Sequence, residues 1–299
     1  MGGIGSYDTP LPHDDDDREH NASSRPTNEQ PPVIGRLRVE PGTTAAIADR
    51  DPRDTLGFGG KQSAANRLAE VQVRLESLQK RLYAERRHSL LLILQGLDAS
   101  GKDGVIRAAF AGLNPQGCRV VAFAAPTSTE LAHDYLWRVH AALPARGEIG
   151  IFNRSHYEDV VAVRMRELAP KEVWQRRPAH IREWERMLAD EGTTIVKVFL
   201  NVSRDEQRQR FQERVDDPEK RWKFRLEDLE VQKRYDDYLS AWEEVVDETS
   251  CDWAPWYVVP ADRNWVKSLA VAELLLHALE RIDPKFPAAP PGVEGLKIS

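Results

Sequence analysis

Residues 90–104 read LLLILQGLDASGKDG, and this stretch predicts how the chain folds. Its first part, Leu90–Leu94, is an uninterrupted apolar run of the kind found in parallel strands that are buried on both faces. A glycine-rich turn follows at once, and Lys102–Ala111 has the pattern of a helix. The order of strand, glycine-rich turn and helix predicts a parallel α/β fold with a binding loop at the end of this strand.

The turn, Gly96–Lys102, has the spacing GxxxxGK of a phosphate-binding loop, or P-loop. Glycines let backbone N–H groups turn inward on a phosphate, and the start of the following helix adds a partial positive charge. We expect Lys102 to place its charge on the phosphoryl oxygens. The alternative is an incidental turn. The other loop residues predicted to bind phosphate or nucleotide are Gly96, Ala99, Ser100, Gly101 and Asp103.

Two acidic residues depart from the usual pattern of nucleotide triphosphatases. Asp103 follows Lys102 at the position where a Ser or Thr hydroxyl ordinarily binds Mg²⁺. Asp98 lies inside the loop, where its carboxylate would repel phosphate unless it holds Mg²⁺ or accepts a proton. We therefore expect Asp98 to be catalytic or metal-binding. The alternative is a loop-capping Asp that faces solvent.

Apolar runs alternate with helical patterns along most of the chain. This alternation predicts a three-layer α/β P-loop kinase fold, with a central parallel sheet of about five strands and helices on both faces. The predicted strands are 90–94, 119–122, 149–152, 194–200 and 256–259. The predicted helices are 62–87, 102–111, 129–143 capped by Thr129, 157–168, 171–190, one beginning at 204, 226–247 and 265–282.

The first of these helices carries a narrow apolar stripe. Its members recur at spacings of three and four residues, which is the period of one helix face. The stripe fits packing on the domain surface, and it also fits a helix pair between subunits, because the same spacing occurs in a short coiled-coil seam. The residues of the stripe are Leu68, Val71, Leu75, Leu78 and Leu82.

The two ends of the chain differ from the body. Residues 1–60 are rich in Pro, Gly, Asn and Asp and include the acidic run Asp14–Asp17. With so few apolar residues, we expect a mostly disordered tail whose last part lies along the body. The phosphotransferase domain is predicted over 61–284, with a lid at about 204–226. Residues 285–299 are Pro-rich and are predicted to be irregular.

Composition narrows the class of protein. The 299 residues include 42 Lys and Arg against 48 Asp and Glu, a formal net charge of −6. This balance argues against a dedicated nucleic-acid binder. The chain has no run of about 18 apolar residues and no secretory leader pattern, so we expect no membrane partner. With only Cys118 and Cys251, we expect neither a disulfide framework nor a structural zinc site, which fits the cytoplasm.

The stretch 149–159, IGIFNRSHYED, is the second candidate region. In P-loop folds the strand beside the P-loop strand often ends in an Asp that supports Mg²⁺, and here that place holds Asn153. Arg154 follows, and an arginine there can clamp a transferring phosphoryl group. Glu158 and Asp159 fall in the first turn of the next helix. They either take part in the site or cap the helix through its dipole.

The stretch 204–226 is the third candidate region, because it concentrates cations. P-loop kinases carry a lid after the fourth strand that closes over the phosphates and excludes water. Asp217–Phe224, DPEKRWKF, places three cations and Trp222 together, which favours a lid. A solvated charged helix is the alternative, because six acidic residues are interspersed. The cations are Arg208, Arg210, Arg214, Lys220, Arg221, Lys223 and Arg225.

The fourth candidate region follows the second predicted strand. Kinases of this fold bind their second substrate there. Pro126 in the sequence Ala125–Thr127 ends the strand, and Arg138 lies on the following helix. We expect Arg138 to reach a phosphate or nucleotide.

Four motifs in order resemble the second family of polyphosphate kinases, also called polyphosphate:nucleotide phosphotransferases. They are LQGLDASGKDG at 94–104, residues 126–140 ending in LAHDYLWRVH, FNRSHYEDV at 152–160 and DPEKRWKF at 217–224. The resemblance extends over 62–282, nearly the whole body. Four motifs in one order are much more specific than any single motif.

This resemblance implies reversible transfer of a terminal phosphoryl group between polyphosphate and AMP or ADP, giving ADP or ATP. It also implies Mg²⁺ as cofactor, with Mn²⁺ as a substitute, and a homodimer or homotetramer. Asp98 and Lys102 correspond to residues central to catalysis, and Arg154 to one that faces phosphates. The lid cations implied to face phosphates are among Arg208, Lys220, Arg221 and Lys223.

Asn153 marks a departure within that family, because several members have Asp there. An amide is a poorer Mg²⁺ ligand than a carboxylate, so we expect at most a weak metal contact from Asn153. The Asn form followed by YED resembles the subgroup that phosphorylates both AMP and ADP.

Three other functions fit parts of the sequence. An ATP-dependent nucleoside monophosphate kinase would share the P-loop, lid and acceptor site, although Asp98 and Asp103 count against it. A non-catalytic phosphate or nucleotide sensor would explain the missing carboxylate at Asn153. A polyanion-binding structural protein would bind without turnover, and its binding would weaken steeply with salt.

Overall fold

A six-stranded sheet organises the part of the chain that the computed structural model describes, residues 32–298. The sheet order is β1-β6-β5-β2-β4-β3. Strands β2 to β6 are parallel to their neighbours, which confirms the predicted five-stranded parallel sheet, and β1 adds an antiparallel edge. The strands are β1 (Arg38–Val39), β2 (Ser89–Gln95), β3 (Cys118–Ala122), β4 (Ile149–Asn153), β5 (Thr193–Asn201) and β6 (Trp256–Pro260).

Strand β2 lies inside the sheet, between β4 and β5. Every residue of β2 is buried, as its apolar run predicts. Leu94 is in register with Asn153 of β4 on one side and with Val198 of β5 on the other. The residues that follow β2 and β4 therefore emerge side by side at the carboxyl edge, where open α/β sheets bind ligands.

Helices cover both faces of the sheet. One layer contains α2, α3 and α12, and the other contains α6, α8 and α11. The helices are α1 (Pro32–Leu37), α2 (Lys61–Glu85), α3 (Lys102–Ala109), α4 (Ser128–Leu131), α5 (Trp137–His140), α6 (Glu158–Met165), α7 (Lys171–Trp174), α8 (Arg177–Asp190), α9 (Arg204–Asp216), α10 (Glu227–Lys233), α11 (Tyr235–Thr249) and α12 (Asn264–Ile282).

The apolar stripe of α2 packs within the domain. Val71, Leu75 and Leu82 are fully buried, and α2 lies along α12. Arg67 donates to Glu273 of α12 at 2.7 Å, at one edge of this contact. The stripe is therefore used for packing inside the chain, as one of its two interpretations predicts.

Residues 32–60 lie along the body, as expected for the last part of the predicted tail. Ile34, Leu37 and Val39 are buried, and Arg38 of β1 pairs with Tyr257 of β6. The backbone N–H of Ile47 donates to Glu243 on α11 at 2.6 Å. The few apolar residues of this segment are thus placed where each packs on the body, which average composition does not reveal. The acidic run at 14–17 and the rest of residues 1–31 lie outside the described residues.

Three predicted helices are each divided in two. The helix expected at 129–143 is α4 and α5, because the side chain of Asp134 accepts from the backbone N–H of Leu136 at 2.9 Å and turns the chain. Its cap is Thr127, not Thr129. Thr127 forms a capping box with Glu130. The other two are divided into α7 with α8 and α10 with α11. Pro178 starts α8 afresh, since proline fits the first turn of a helix.

The last described segment of the chain is irregular. Residues 285–298 contain neither helix nor strand. Among residues 32–298, no helix combines the length and the apolar character that crossing a membrane requires.

The glycine that ends β2 gives a test of the loop backbone. A Cβ on Gly96 would lie 2.7 Å from the carbonyl oxygen of Leu200, and Gly96 has φ +144°. Because backbone of β5 cannot move aside, we expect Gly96→Ala to lower the free energy of unfolding by about 3 kcal/mol. Gly104 on α3 is the matched control, since a Cβ there meets nothing within 4 Å. Urea unfolding should show that Gly104→Ala is neutral or stabilising, and equal losses in both variants would contradict this account.

Candidate active site

The P-loop leaves β2 and enters α3 with its backbone in left-handed conformations. Gly101, the N-cap of α3, has φ +96°, and a Cβ there would lie 2.3 Å from Nζ of Lys267. Ala99 has φ +63°, which is uncommon for a residue with a side chain. The loop is therefore folded tightly around its own backbone, as phosphate-binding loops require.

Three side-chain donors hold the loop from behind. Gln207 Nε2 donates to the carbonyl oxygen of Asp98 at 3.0 Å. Arg210 donates to the carbonyl oxygens of Ala99 and Ser100 at 2.9 and 3.1 Å. Lys267 Nζ donates to Ser100 as well, at 2.8 Å. We call these three side chains, Gln207, Arg210 and Lys267, the carbonyl clamp.

The carbonyl clamp fixes which way the loop amides point. In a trans peptide the C=O of one residue and the N–H of the next point to opposite sides. The N–H groups of Ala99 and Gly101 therefore point away from the clamp, toward the open side of the loop. The N–H of Ser100 is bonded within the loop, to the Leu97 carbonyl at 3.1 Å. This arrangement gives the open side a partial positive charge before any ligand arrives.

Lys102 lies over the loop at the start of α3. Its side chain is buried, and Nζ donates to the carbonyl oxygen of Gly96 at 2.8 Å. Burial, with a further contribution from Arg154, lowers the pKa of Lys102 to about 8. An ammonium that is poorly solvated and close to another cation gains much from an approaching anion. Lys102 is thus prepared to bind phosphoryl oxygens.

Asp98 and Arg154 face each other across the ends of β2 and β4. Arg154 NH2 lies 2.5 Å from Oδ1 of Asp98. The N–H of Arg154 donates to the Leu94 carbonyl at 3.0 Å, and its φ of +64° turns the side chain sharply out of the strand direction. The pair brings the predicted catalytic carboxylate and the predicted phosphate clamp into one group with Lys102.

A buried polar network supports the turn that carries Arg154. Tyr157, three residues on, donates to Glu185 Oε1 at 2.9 Å. Lys197 on β5 donates to Glu185 Oε2 at 2.6 Å and to the Tyr157 hydroxyl at 2.9 Å. The side chains of Glu185 and Lys197 are fully buried, so removing one partner would leave an uncompensated charge. The turn is fixed to both β5 and α8.

Asn153 and Asp103 form a second polar pair beside the first. Asn153 Nδ2 donates to Asp103 Oδ1 at 2.7 Å, and Lys223 Nζ of the predicted lid lies 4.0 Å from Asp103 Oδ2. The structure thus brings Asn153, Asp103 and Lys223 together next to Lys102. Asp103 contacts an amide and a cation where the usual pattern has a hydroxyl.

Glu158 lies beneath this group, in the first turn of α6. The Gln95 amide fits best with its nitrogen donating to Glu158 Oε1 and its oxygen accepting from Ser155, both at 3.0 Å. Burial raises the pKa of Glu158, while Arg154 and Lys102 oppose the rise. Glu158 therefore balances the two cations from within the protein.

The other predicted lid cations face protein groups. Arg208 is on the exposed side of α9 and lies 3.4 Å from Asp205. Lys220 pairs with Asp217 at 2.8 Å, and Arg221 donates to the Val215 carbonyl at 2.7 Å. Of the four cations that the family resemblance implied, Lys223 is the one that the structure places at the P-loop.

Arg138 is also engaged by the protein. It donates to the Ala124 carbonyl at 2.9 Å and lies 3.6 Å from Asp159 and 3.8 Å from Glu130. Its side chain is largely buried against Phe123. The structure does not bring Arg138 into the group formed by Asp98, Lys102 and Arg154.

Comparison with known proteins shows the family of this chain. The family model for polyphosphate kinase 2 matches residues 60–287, which is most of the chain. The chain belongs to the polyphosphate kinase 2 family. A crystal structure of polyphosphate kinase 2 from Arthrobacter aurescens TC1 is 41% identical and superposes with a TM-score of 0.83, covering 88% of this chain and 94% of that one.

Two curated relatives of this polyphosphate kinase 2 chain have names that state substrates. The AMP/ADP-polyphosphate phosphotransferase of Meiothermus ruber is 54% identical over 253 residues, covering 84% of this chain and 95% of that protein. The ADP-polyphosphate phosphotransferase of Rhodopseudomonas palustris is 47% identical over 237 residues, covering 75% and 82%.

The acidic groups of this kinase fit a Mg²⁺ ion that is also bound by phosphate oxygens of the substrate. Among the described residues, no three His, Cys, Asp or Glu side chains form a metal-binding group. Mg²⁺ is usually held by one or two carboxylates, with phosphate oxygens and water as its other ligands. Asp98 at the open side of the loop can supply such a carboxylate. Asn153 directs its amide nitrogen to Asp103, which does not favour it as a ligand.

The carbonyl clamp was missed by sequence reasoning. The sequence places Arg210 among the lid cations, but its guanidinium donates to P-loop carbonyls and to the carbonyls of Ala261 and Asp262 after β6. Lys267 is on α12, far from the loop in sequence. One signal was available, because a lysine within the apolar pattern of 264–282 requires buried acceptors.

The pH dependence of stability tests the clamp. Burial, with a contribution from Arg210, lowers the pKa of Lys267 to about 7 from its ordinary 10.5. Between these values the unfolded chain holds the proton and the folded chain does not, so stability rises with pH. We expect the wild type to gain about 2 kcal/mol relative to Lys267→Met between about pH 6.5 and 9.

Urea unfolding of both proteins at several pH values measures this gain. A difference between wild type and Lys267→Met that stays constant across the range would show that Lys267 keeps its proton in the folded chain up to pH 9, and would contradict the lowered pKa.

Proposed function

We propose that this protein transfers a terminal phosphoryl group between inorganic polyphosphate and AMP or ADP, forming ADP or ATP reversibly. The observation that carries the proposal is the juxtaposition of Lys102, Arg154 and Asp98 at the open side of the P-loop. Family membership and the names of the two relatives give the substrate classes.

The chain's own residues perform the electrostatic part of the reaction. The transferred phosphoryl group carries its charge on three equatorial oxygens in an in-line transition state. Lys102 and Arg154 provide cations to these oxygens, and the N–H groups of Ala99 and Gly101 provide dipoles. Because the clamp fixes the loop beforehand, these groups need no reorganisation at the moment of transfer.

Asp98 acts by position and charge. The accepting phosphate of AMP or ADP is already largely ionised at neutral pH, so no residue has to remove a proton from it. Asp98 holds Arg154 at 2.5 Å and presents its carboxylate at the loop. We propose that Asp98 also binds Mg²⁺, with Mn²⁺ as a substitute. The bound ion would neutralise charge on the phosphates.

The lid brings further positive charge to a polyanionic substrate. Lys223 lies beside Asp103 at the P-loop, so its ammonium can leave this carboxylate and bind a phosphate group of the polyphosphate. A net charge of −6 does not oppose this, because binding depends on the local potential of the groove. We further propose a cytoplasmic homodimer or homotetramer, supported by the family resemblance.

Removing either charge at the loop tests the catalytic assignment. We expect Asp98→Asn and Lys102→Met to lower turnover at least about a hundredfold, the scale of one lost preorganised contact. Asp252→Asn is the matched control, because this exposed carboxylate precedes β6 at the opposite edge of the sheet. Turnover is measured at saturating polyphosphate and constant Mg²⁺. Normal turnover in either loop variant would remove that residue from the mechanism.

A donor and acceptor assay tests the function itself. Purified protein with Mg²⁺ and long-chain polyphosphate, without ATP, should convert AMP to ADP and ADP to ATP. Product from ADP alone would keep polyphosphate as donor and contradict the dual-acceptor assignment. Product only from ATP plus AMP would show an ordinary monophosphate kinase. Binding without any turnover would favour a sensor or a structural polyanion binder.

A further inference from the structure

Trp222 is a large aromatic side chain held in solvent at the edge of the site. It belongs to the short 3₁₀ turn Arg221–Lys223 of the predicted lid, and 76% of its surface is exposed. Leu226, four residues on, is also exposed. Exposed apolar surface next to a charged cleft marks a binding position more often than chance, because hydration of an indole is costly.

One lysine links the Trp222 ring to the P-loop. Lys223 Nζ lies 5.1 Å from the centre of the Trp222 ring and 4.0 Å from Oδ2 of Asp103. Asp103 is the neighbour of Lys102. The indole is therefore one lysine side chain away from the phosphate-binding loop.

Trp222 differs in this respect from Trp137, another exposed tryptophan. Trp137 is 43% exposed, and its ring is stacked on His133 with centroids 4.1 Å apart and planes at 16°. One face of Trp137 is thus already covered by an aromatic ring. Among the described residues, the ring of Trp222 is stacked on no other aromatic ring, and Trp222 is 76% exposed, so a flat aromatic ligand can still cover the ring.

We propose that Trp222 is the stacking platform for the base of the nucleotide substrate. This inference rests on the proposed function and adds the place where the base binds. A nucleotide joins a flat aromatic base to an anionic phosphate group, and the lid turn presents an indole close to the cationic groups of the P-loop. Base-aromatic stacking needs no hydrogen bonds to the base edge, so it tolerates different bases.

Leucine and phenylalanine at position 222 test the platform. Stacking of one base on an aromatic side chain is worth about 1–3 kcal/mol, so Trp222→Leu should raise the KM for AMP about tenfold. Trp222→Phe, which keeps an aromatic face, should recover most of the loss. The KM for polyphosphate should stay unchanged in both variants. Trp137→Leu is the matched control and should leave both KM values unchanged.

A substrate fragment without a base separates stacking from phosphate binding. Ribose 5-phosphate, used as a competitive inhibitor against AMP, should have the same inhibition constant in the wild type and in Trp222→Leu. An unchanged KM for AMP in Trp222→Leu, or equal increases in the KM for AMP and polyphosphate, would overturn the proposal. Failure of the proposed function is distinguishable, because the wild type itself would then show no transfer from polyphosphate.

Discussion

The hydrogen bonds from Gln207, Arg210 and Lys267 to the P-loop carbonyls are the constraint on which the site depends. A loop with left-handed residues at Ala99 and Gly101 has little stability of its own. By fixing three carbonyl oxygens from behind, these donors determine the direction of the amides in front. The donors come from two separate helices, so the phosphate site forms only when most of the domain has folded.

The cations in front of the loop lie close to acidic side chains. Arg154 is paired with Asp98, Lys223 is near Asp103, and Glu158 lies below. These acidic neighbours keep the positive charges at the open side of the loop and compensate them in a partly buried environment. A phosphate chain bound at the proposed site would replace interactions that already exist. This balance of charge also explains why a P-loop that contains carboxylates can still bind an anion.

The sheet and the residues around the P-loop were predictable because their signals are local. The apolar run before Gly96 and the spacing to Lys102 specify strand, loop and helix within 15 residues. Arg154 follows the neighbouring strand, so parallel pairing alone places it beside Asp98. The clamp residue Lys267 joins the loop only in three dimensions. Its place in an apolar pattern indicates buried acceptors, but the sequence does not show which acceptors they are. The same holds for residues 32–60, where individual side chains pack although the average composition is polar.

The carbonyl clamp has a mechanical consequence for the lid. Gln207 and Arg210 belong to the first half of α9, and they are bonded to the same loop that receives the phosphates. The first half of the predicted lid and the floor of the site are therefore joined directly by hydrogen bonds. A hinge of the predicted lid would have to lie beyond Arg210, toward the break at Asp217–Pro218. Movement beyond that point would leave the amides beneath it aligned.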